Sequence, residues 1–184
     1  MFLCYNVNEV YSDIGGCMKK TGLFVALMIL VSCLLCGCFS DIMVIPNNDS
    51  IGEPKKFEND GFAITLTDKF KEQTSEMGFD AYFVADFCGV VVLREEFTLE
   101  EGLAEMSLEK YITNVIANNG YTDIAPQNKD GLWFYERTSD SSYAQSYCYK
   151  GSDSFWIVQF LCNPSDTELL GDTFYLWAQS VEVK

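Results

Sequence analysis

The stretch that decides the fold is residues 143–162, YAQSYCYKGSDSFWIVQFLC, because two apolar runs are separated there by a short polar loop. Tyr143–Lys150 and Phe155–Cys162 are rich in aromatic and β-branched residues, which is typical of β-strands. Gly151–Ser154 is short enough to connect them directly. The stretch therefore predicts two neighbouring antiparallel strands.

The loop also fixes the register of this hairpin, and the register decides what its cysteines do. A four-residue loop places Cys148 opposite Ile157 and Cys162 opposite Tyr143. The two cysteines then point to opposite faces and lie farther apart than the about 7 Å between Cα atoms that a disulfide spans. We therefore expect Cys88, Cys148 and Cys162 to be buried free thiols.

Aromatic side chains dominate the same hairpin. Tyr143, Tyr147 and Tyr149 share one face in this register, and Trp133 and Tyr135 alternate in the same way on the preceding strand. One interpretation is that this face is the core beneath the helices. The other is a candidate binding surface for a peptide, a glycan or a partner protein, since Tyr and Trp combine a large contact area with a polar group.

Turn residues outside the hairpin mark further strands. One hairpin is predicted from Phe57 and Phe62–Leu66 around Asn59-Asp60-Gly61, and a second from Tyr82–Ala85 and Val90–Glu95 around a turn at Asp86–Gly89, which contains Cys88. A further strand, Leu132–Arg137, follows Asp130-Gly131, and a short closing strand lies within Val181–Lys184. The polar segment Thr67–Gly78 predicts at most one helical turn, around Phe70.

Two segments have the apolar spacing of amphipathic helices. In the first, Ser107 precedes Leu108, Tyr111, Ile112, Val115 and Ile116 as an N-cap. The second, Asp166–Gln179, follows the strand-breaking Asn163-Pro164-Ser165. The element order predicts an α+β fold: an antiparallel sheet of about six to eight strands flanked by two main helices.

Four segments resemble the PsbP-like domains: FENDGFAITLTDKF from Phe57, VVVLREEF from Val90, SLEKYITNV from Ser107 and FWIVQFLCNPSDTELLGDTFYLWAQSVEV from Phe155. That family includes an extrinsic photosystem II subunit, a Ran-binding import factor and small bacterial lipoproteins. The resemblance covers Phe57–Lys184. It implies an α/β/α sandwich and a role in binding or assembly, and it transfers no functional residue.

A separate signal lies at the N-terminus, in Met18–Cys38. Lys19 and Lys20 precede a run of apolar residues, as in a secretion signal. Leu35-Cys36-Gly37-Cys38 resembles the lipobox of bacterial lipoproteins, which predicts a diacylglyceryl anchor on Cys38. Cys33 closes a similar pattern and is the alternative. An uncleaved membrane-spanning helix is a second interpretation, since the run from Thr21 to Ser40 is uncharged.

Both interpretations give the same location. The two lysines stay in the cytoplasm, and the rest of the chain lies on the outer face of a bacterial cytoplasmic membrane. Residues 1–17 carry no basic residue and precede a complete signal, so we interpret them as a start codon assigned too early. The predicted organisation is a signal peptide at 18–37, an anchor and polar tether at 38–56, and a globular domain at 57–184.

Composition excludes several function classes. The chain has 27 acidic and 12 basic residues, and a net charge of −15 disfavours nucleic-acid binding. It contains no histidine, which removes His-activated nucleophiles and His-ligated metals. We expect no cofactor and no metal. The glutamate pairs Glu95/Glu96 and Glu100/Glu101 are sequence neighbours that point apart, so we expect them to face solvent.

The function that fits these observations is a membrane-anchored, non-catalytic binding or assembly module with a protein, peptide or glycan partner. The first alternative is a hydrolase that uses carboxylates, which requires two acidic side chains that converge in a pocket. The second alternative is a structural component of the cell envelope.

Overall fold

The computed structural model describes residues 51–74 and 78–184. The leader Met18–Cys38, with the acylation predicted at Cys38 or Cys33, lies outside those residues, as does the segment 1–17. In the described part of the chain, no helix has both the length and the apolar character needed to cross a bilayer.

The elements follow the predicted order closely. The strands are β1 (Pro54–Asn59), β2 (Phe62–Thr67), β3 (Lys71–Glu72), β4 (Ala81–Ala85), β5 (Cys88–Glu96), β6 (Gln127–Lys129), β7 (Leu132–Thr138), β8 (Tyr143–Lys150), β9 (Ser154–Cys162) and β10 (Glu182–Val183). The helices are α1 (Leu108–Asn118) and α2 (Thr167–Gln179), with short 3₁₀ turns at Phe97–Leu99 and Pro164–Asp166.

The main sheet has seven antiparallel strands in the order β3-β4-β5-β9-β8-β7-β6. The predicted hairpin register is confirmed, because Lys150 pairs with Phe155 and Tyr143 with Cys162. Strand β9 lies in the interior of the sheet, between β5 and β8. This position explains why nearly all its side chains are buried, as those of a strand covered on both faces are.

A second, three-stranded sheet is formed in the order β1-β2-β10. Its hairpin closes at Asp60-Gly61, where Gly61 has φ 79°, a conformation that glycine adopts without a Cβ clash. The Lys184 backbone N–H donates to the Gly61 carbonyl at 3.0 Å and holds the chain end beside this turn. Strand β1 begins at Pro54, ahead of the start that we predicted at Phe57.

Each helix buries the apolar face that its sequence predicts. Helix α1 begins where the Ser107 hydroxyl accepts the Lys110 N–H at 3.2 Å, which satisfies one free donor of the first turn. Its buried side chains are Tyr111, Ile112, Val115 and Ile116. Helix α2 buries Leu170, Phe174, Trp177 and Ala178.

The helices cover opposite faces of the main sheet, which makes a sandwich of three layers. On one face, α1 and Leu103 pack against Val91, Ile157 and Leu161. On the other, α2 and the small sheet pack against aromatic side chains, and that core includes Phe160 and Trp156. The α+β class and the flanking pair of helices are therefore as predicted.

Two local predictions were wrong. Cys88 is not in a turn: Ala85 pairs with Cys88, so the loop is only Asp86-Phe87 and the cysteine is the first residue of β5. Around Phe70 the chain forms no helical turn but a β-turn at Asp68-Lys69, closed by the Phe70 N–H that donates to the Thr67 carbonyl at 3.1 Å, and β3 begins directly after it. At Cys88, backbone pairing with the sheet overrides the weak local signal.

Candidate binding cleft beside helix α2

A cleft of about 370 Å³ lies between α2 and the edge of the main sheet formed by β6, β7 and β8. From the sheet, its lining residues are Lys129, Phe134, Glu136, Tyr143, Gln145 and Tyr147; from α2, they are Thr167, Glu168, Gly171, Asp172 and Tyr175. Gly171 presents no side chain to this space, so the helix leaves room for a ligand opposite Gln145. The cleft thus combines aromatic and polar walls, as ligand sites commonly do.

A hydrogen-bonded chain fixes the polar groups of the sheet wall. Gln145 is 5% exposed, and its Nε2 donates to Glu136 Oε1 at 2.9 Å and to the Tyr143 hydroxyl at 2.7 Å. The Tyr147 hydroxyl donates to Gln145 Oε1 at 3.0 Å. Because the amide is held at both ends, the two tyrosine hydroxyls have fixed positions at the cleft.

Burial and negative charge keep both hydroxyls protonated. Burial raises the pKa of Tyr143, and the neighbouring Glu136 carboxylate raises it further. Burial also raises the pKa of Tyr147, and the neighbouring Tyr143 and Glu136 raise it further. Both groups are therefore neutral hydrogen-bonding groups at physiological pH, and neither is an ionised nucleophile.

The remaining charges make the cleft acidic. Glu136, Glu168 and Asp172 line it, against the single ammonium of Lys129. Lys129 Nζ lies 3.9 Å from the centre of the Tyr175 ring, and the Tyr175 hydroxyl donates to Asp130 Oδ2 at 2.6 Å. The chain thus already places a cation on an aromatic face of this cleft. Within residues 51–74 and 78–184, no cluster of three or more acidic or cysteine side chains is arranged to hold a metal ion.

The predicted binding surface is divided by the structure. Tyr143 and Tyr147 reach the cleft with their hydroxyls, while their rings are buried. Tyr149 is pinned under α2, where its hydroxyl donates to the Ala178 carbonyl at 2.7 Å. These three tyrosines therefore form core and cleft wall, and no broad exposed platform.

Trp133 and Tyr135 lie on the other face of the sheet, with α1, which corrects the single face that we predicted. The reason is the register of β7, because Thr138 pairs with Tyr143 and Phe134 with Tyr147. Phe134 therefore takes the place beside the tyrosines that we had expected for its two neighbours.

Sequence reasoning missed most of the cleft. Glu136, Gln145, Gly171, Glu168 and Asp172 were not singled out. One signal was present: Gln145 is a polar residue in the middle of an otherwise apolar strand face, where a buried amide requires partners. The second wall could not be predicted, since it depends on how α2 lies across the sheet.

The glutamate pairs do not form a second acidic site. Glu95 accepts a hydrogen bond from the Tyr111 hydroxyl at 2.8 Å, on the α1 side of the sheet. Burial raises the pKa of this carboxyl, and the Tyr111 hydrogen bond opposes that effect. Glu95 is therefore a partner of the helix, whereas Glu96, Glu100 and Glu101 are exposed as we expected.

A smaller cavity of about 170 Å³ lies where the β1–β2 turn meets β5 and β9. Its cation, Arg94, is 5.4 Å from the Trp156 ring and forms an ion pair with Asp153 at 2.8 Å. Its Nε donates to the Ser154 hydroxyl at 3.3 Å. Arg94 thus ties β5 to the start of β9, which gives it a structural role at this end of the sheet.

Comparisons with known proteins extend the fold assignment. No protein-family model matches the chain, and no curated protein does. Among solved structures, cyanobacterial PsbP (CyanoP) from Synechocystis sp. PCC 6803 matches with a TM-score of 0.51 and 10% identity, over 76% of this chain and 97% of that one.

Two further structures match at lower scores. A protein from Bacteroides thetaiotaomicron VPI-5482 has a TM-score of 0.48 and 5% identity, over 73% of this chain and 49% of its own. A mutant of Mog1 has a TM-score of 0.46 and 9% identity, over 71% of this chain and 96% of its own. At such identities a likeness concerns the fold alone. The order of elements and the match to CyanoP show that this chain has a PsbP-like fold.

Proposed function

We propose that this chain is a lipid-anchored, extracytoplasmic and non-catalytic binding module, and that its partner docks in the cleft beside α2. The leader sequence supports the proposed location, since Lys19, Lys20 and the apolar run before Cys38 have the pattern of a lipoprotein signal. The observation that carries the binding role is the cleft itself, a concave site with aromatic walls and a fixed set of polar groups.

The charges of the cleft favour a cationic side chain as its occupant, a lysine or an arginine of a partner protein. Glu136, Glu168 and Asp172 together carry three negative charges, and Lys129 balances one of them. The contact between Lys129 and Tyr175 supports an ammonium-accepting ring at this site. A net charge of −15 adds long-range attraction for a basic partner.

The test is a titration of the purified full chain in detergent with a short lysine-containing peptide and with its norleucine counterpart. We expect saturable binding of the lysine peptide, which weakens as salt is added, and none of the neutral peptide. Glu136→Gln and Asp172→Asn should each weaken binding about threefold to tenfold. Glu105→Gln, an exposed change in the segment before α1, is the control and should bind like the unchanged chain.

Equal binding of the two peptides, or equal affinity in all three variants, would contradict this proposal. A carboxylate-dependent hydrolase is the second candidate, because three carboxyl groups share one cleft. The same samples separate the two functions. Mass spectrometry after a long incubation should recover the peptide intact, and cleaved peptide that is absent with Glu136→Gln would favour the hydrolase.

A further inference from the structure

Two cysteines stand opposite each other at one end of the central strands. Strands β5 (Cys88–Glu96) and β9 (Ser154–Cys162) have the same length and run antiparallel. Glu96 pairs with Ser154 at one end, and Gly89 pairs with Leu161 near the other. One further step in the same register brings Cys88 opposite Cys162.

Their side chains share one face and one environment. Both belong to the core on the α2 side, where Cys88 is 0% and Cys162 3% exposed. Directly opposed residues of antiparallel strands have Cα atoms about 4.5 or 5.5 Å apart. Disulfides join Cα atoms about 4.4–6.8 Å apart, so either kind of pair is within range. Burial raises the pKa of Cys88, and the proximity of Cys162 raises it further.

The third cysteine of the described residues has no cysteine opposite it in the sheet. Cys148 is equally buried, but it lies on the α1 face, opposite Ile157 on one side and Trp133 on the other. No cysteine faces it across either strand. The chain therefore contains an internal control for burial without an opposed thiol.

We propose that Cys88 and Cys162 are a modification site, which forms a cross-strand disulfide when the chain folds with a disulfide oxidant such as oxidised glutathione. In the structure the three thiols are free. One thiolate attacks the oxidant, forms a mixed disulfide and releases the first glutathione thiol. The second thiolate attacks the protein sulfur of that mixed disulfide and releases the second. Two electrons and two protons pass from the protein to the oxidant.

The burial of both thiols decides when this reaction occurs. The attacking species is the thiolate, and burial disfavours it in the folded domain. The exchange therefore takes place before β5 and β9 close, and the completed core then shields the bond from reductants. The sequence did not indicate this pair, because Cys88 was assigned to a turn and only the Cys148–Cys162 combination was weighed.

The test is a peptide map of the full chain, refolded in a glutathione redox buffer with detergent, alkylated and digested with trypsin. Each of the three cysteines falls on its own tryptic peptide, residues 72–94, 138–150 and 151–184. We expect a reducible link between 72–94 and 151–184, with 138–150 alkylated. Alkylation of all three peptides, or a link from 72–94 to any other peptide, would overturn the proposal.

Two variants provide an independent measurement. Cys148→Ser should keep the link, and its unfolding midpoint, like that of the unchanged chain, should be lower when refolding and unfolding are both carried out with reductant present. Cys88→Ser should lose both the link and the effect of reductant. If Cys88→Ser does not fold, the map of the unchanged chain and of Cys148→Ser still decides. An unfolding midpoint of the unchanged chain that does not respond to reductant would count against the bond.

Discussion

Gln145 is the residue on which the order of the cleft depends. Its buried amide bonds to Glu136, Tyr143 and Tyr147, so its loss leaves polar groups without partners. We predict that Gln145→Leu lowers the free energy of unfolding by about 1–3 kcal/mol, as measured by urea denaturation. Gln179→Leu, an exposed change, should have little effect. Equal stability of the two variants would show that the network does not hold the sheet wall in place.

Tyr149 gives the stability of the domain a dependence on alkaline pH. Burial raises its pKa well above the value of about 10 that it has in the unfolded chain. A raised pKa stabilises the folded state fully below that unfolded value, and the contribution is lost as pH rises above it. We predict that Tyr149→Phe costs about 0.5–1.5 kcal/mol at neutral pH, because the hydrogen bond from the Tyr149 hydroxyl to the Ala178 carbonyl is lost and that carbonyl keeps only backbone donors such as the Val181 N–H at 3.3 Å.

The same variant should lose stability less steeply than the unchanged chain from pH about 9 to 11, since one buried group no longer has to ionise. Urea denaturation over that range measures both effects. A variant curve parallel to the original one would mean that Tyr149 does not contribute to alkaline unfolding.

Helix α2 carries a glycine, Gly171, in its interior, where a helix prefers alanine. A Cβ at Gly171 would lie 3.9 Å from Gln145 Nε2, an ordinary contact distance. We predict that Gly171→Ala raises the free energy of unfolding by about 0.5–1 kcal/mol, because alanine loses less backbone entropy in a helix. Gly171→Leu should instead fill the cleft and weaken the binding of the lysine peptide.

Urea denaturation and the peptide titration together check this pair. If the leucine variant folds and binds the peptide as the unchanged chain does, the occupant does not lie beside Gly171. If the alanine variant is less stable, the helix does not tolerate the Cβ at that position.

Elements whose signal is local could be predicted from the sequence. The hairpin of β8 and β9, the cap at Ser107 and the buried stripe of α2 follow from patterns local to each segment. The face taken by Trp133 could not be predicted in that way, because it depends on the pairing of β7 with β8 across the loop 139–142. Cys88 was misplaced for a similar reason: whether a turn has two or four residues is decided by the strands that it joins.

At the scale of the whole molecule, one sheet separates two cores with different contents. The α1 side is closed by aliphatic and aromatic packing, whereas on the α2 side the helix leaves a cleft along the edge strands. That division places the fixed polar groups of β7 and β8 on the side that also holds the small sheet, whose first strand begins at Pro54, within the segment that we predicted as the tether.

The proposed location depends on the lipid anchor that the leader sequence predicts at Cys38. If Cys38 is acylated, its lipid chains hold the domain at the membrane, since each buried methylene contributes about 0.8 kcal/mol and two chains act together. Cys38→Ala should move most of the protein from the membrane to the soluble fraction, and the mass of the unchanged mature protein should include the lipid. Cys33→Ala is the matched control and should stay in the membrane. Release by Cys33→Ala alone would assign the anchor to that residue, and membrane retention of both variants would favour an uncleaved spanning helix.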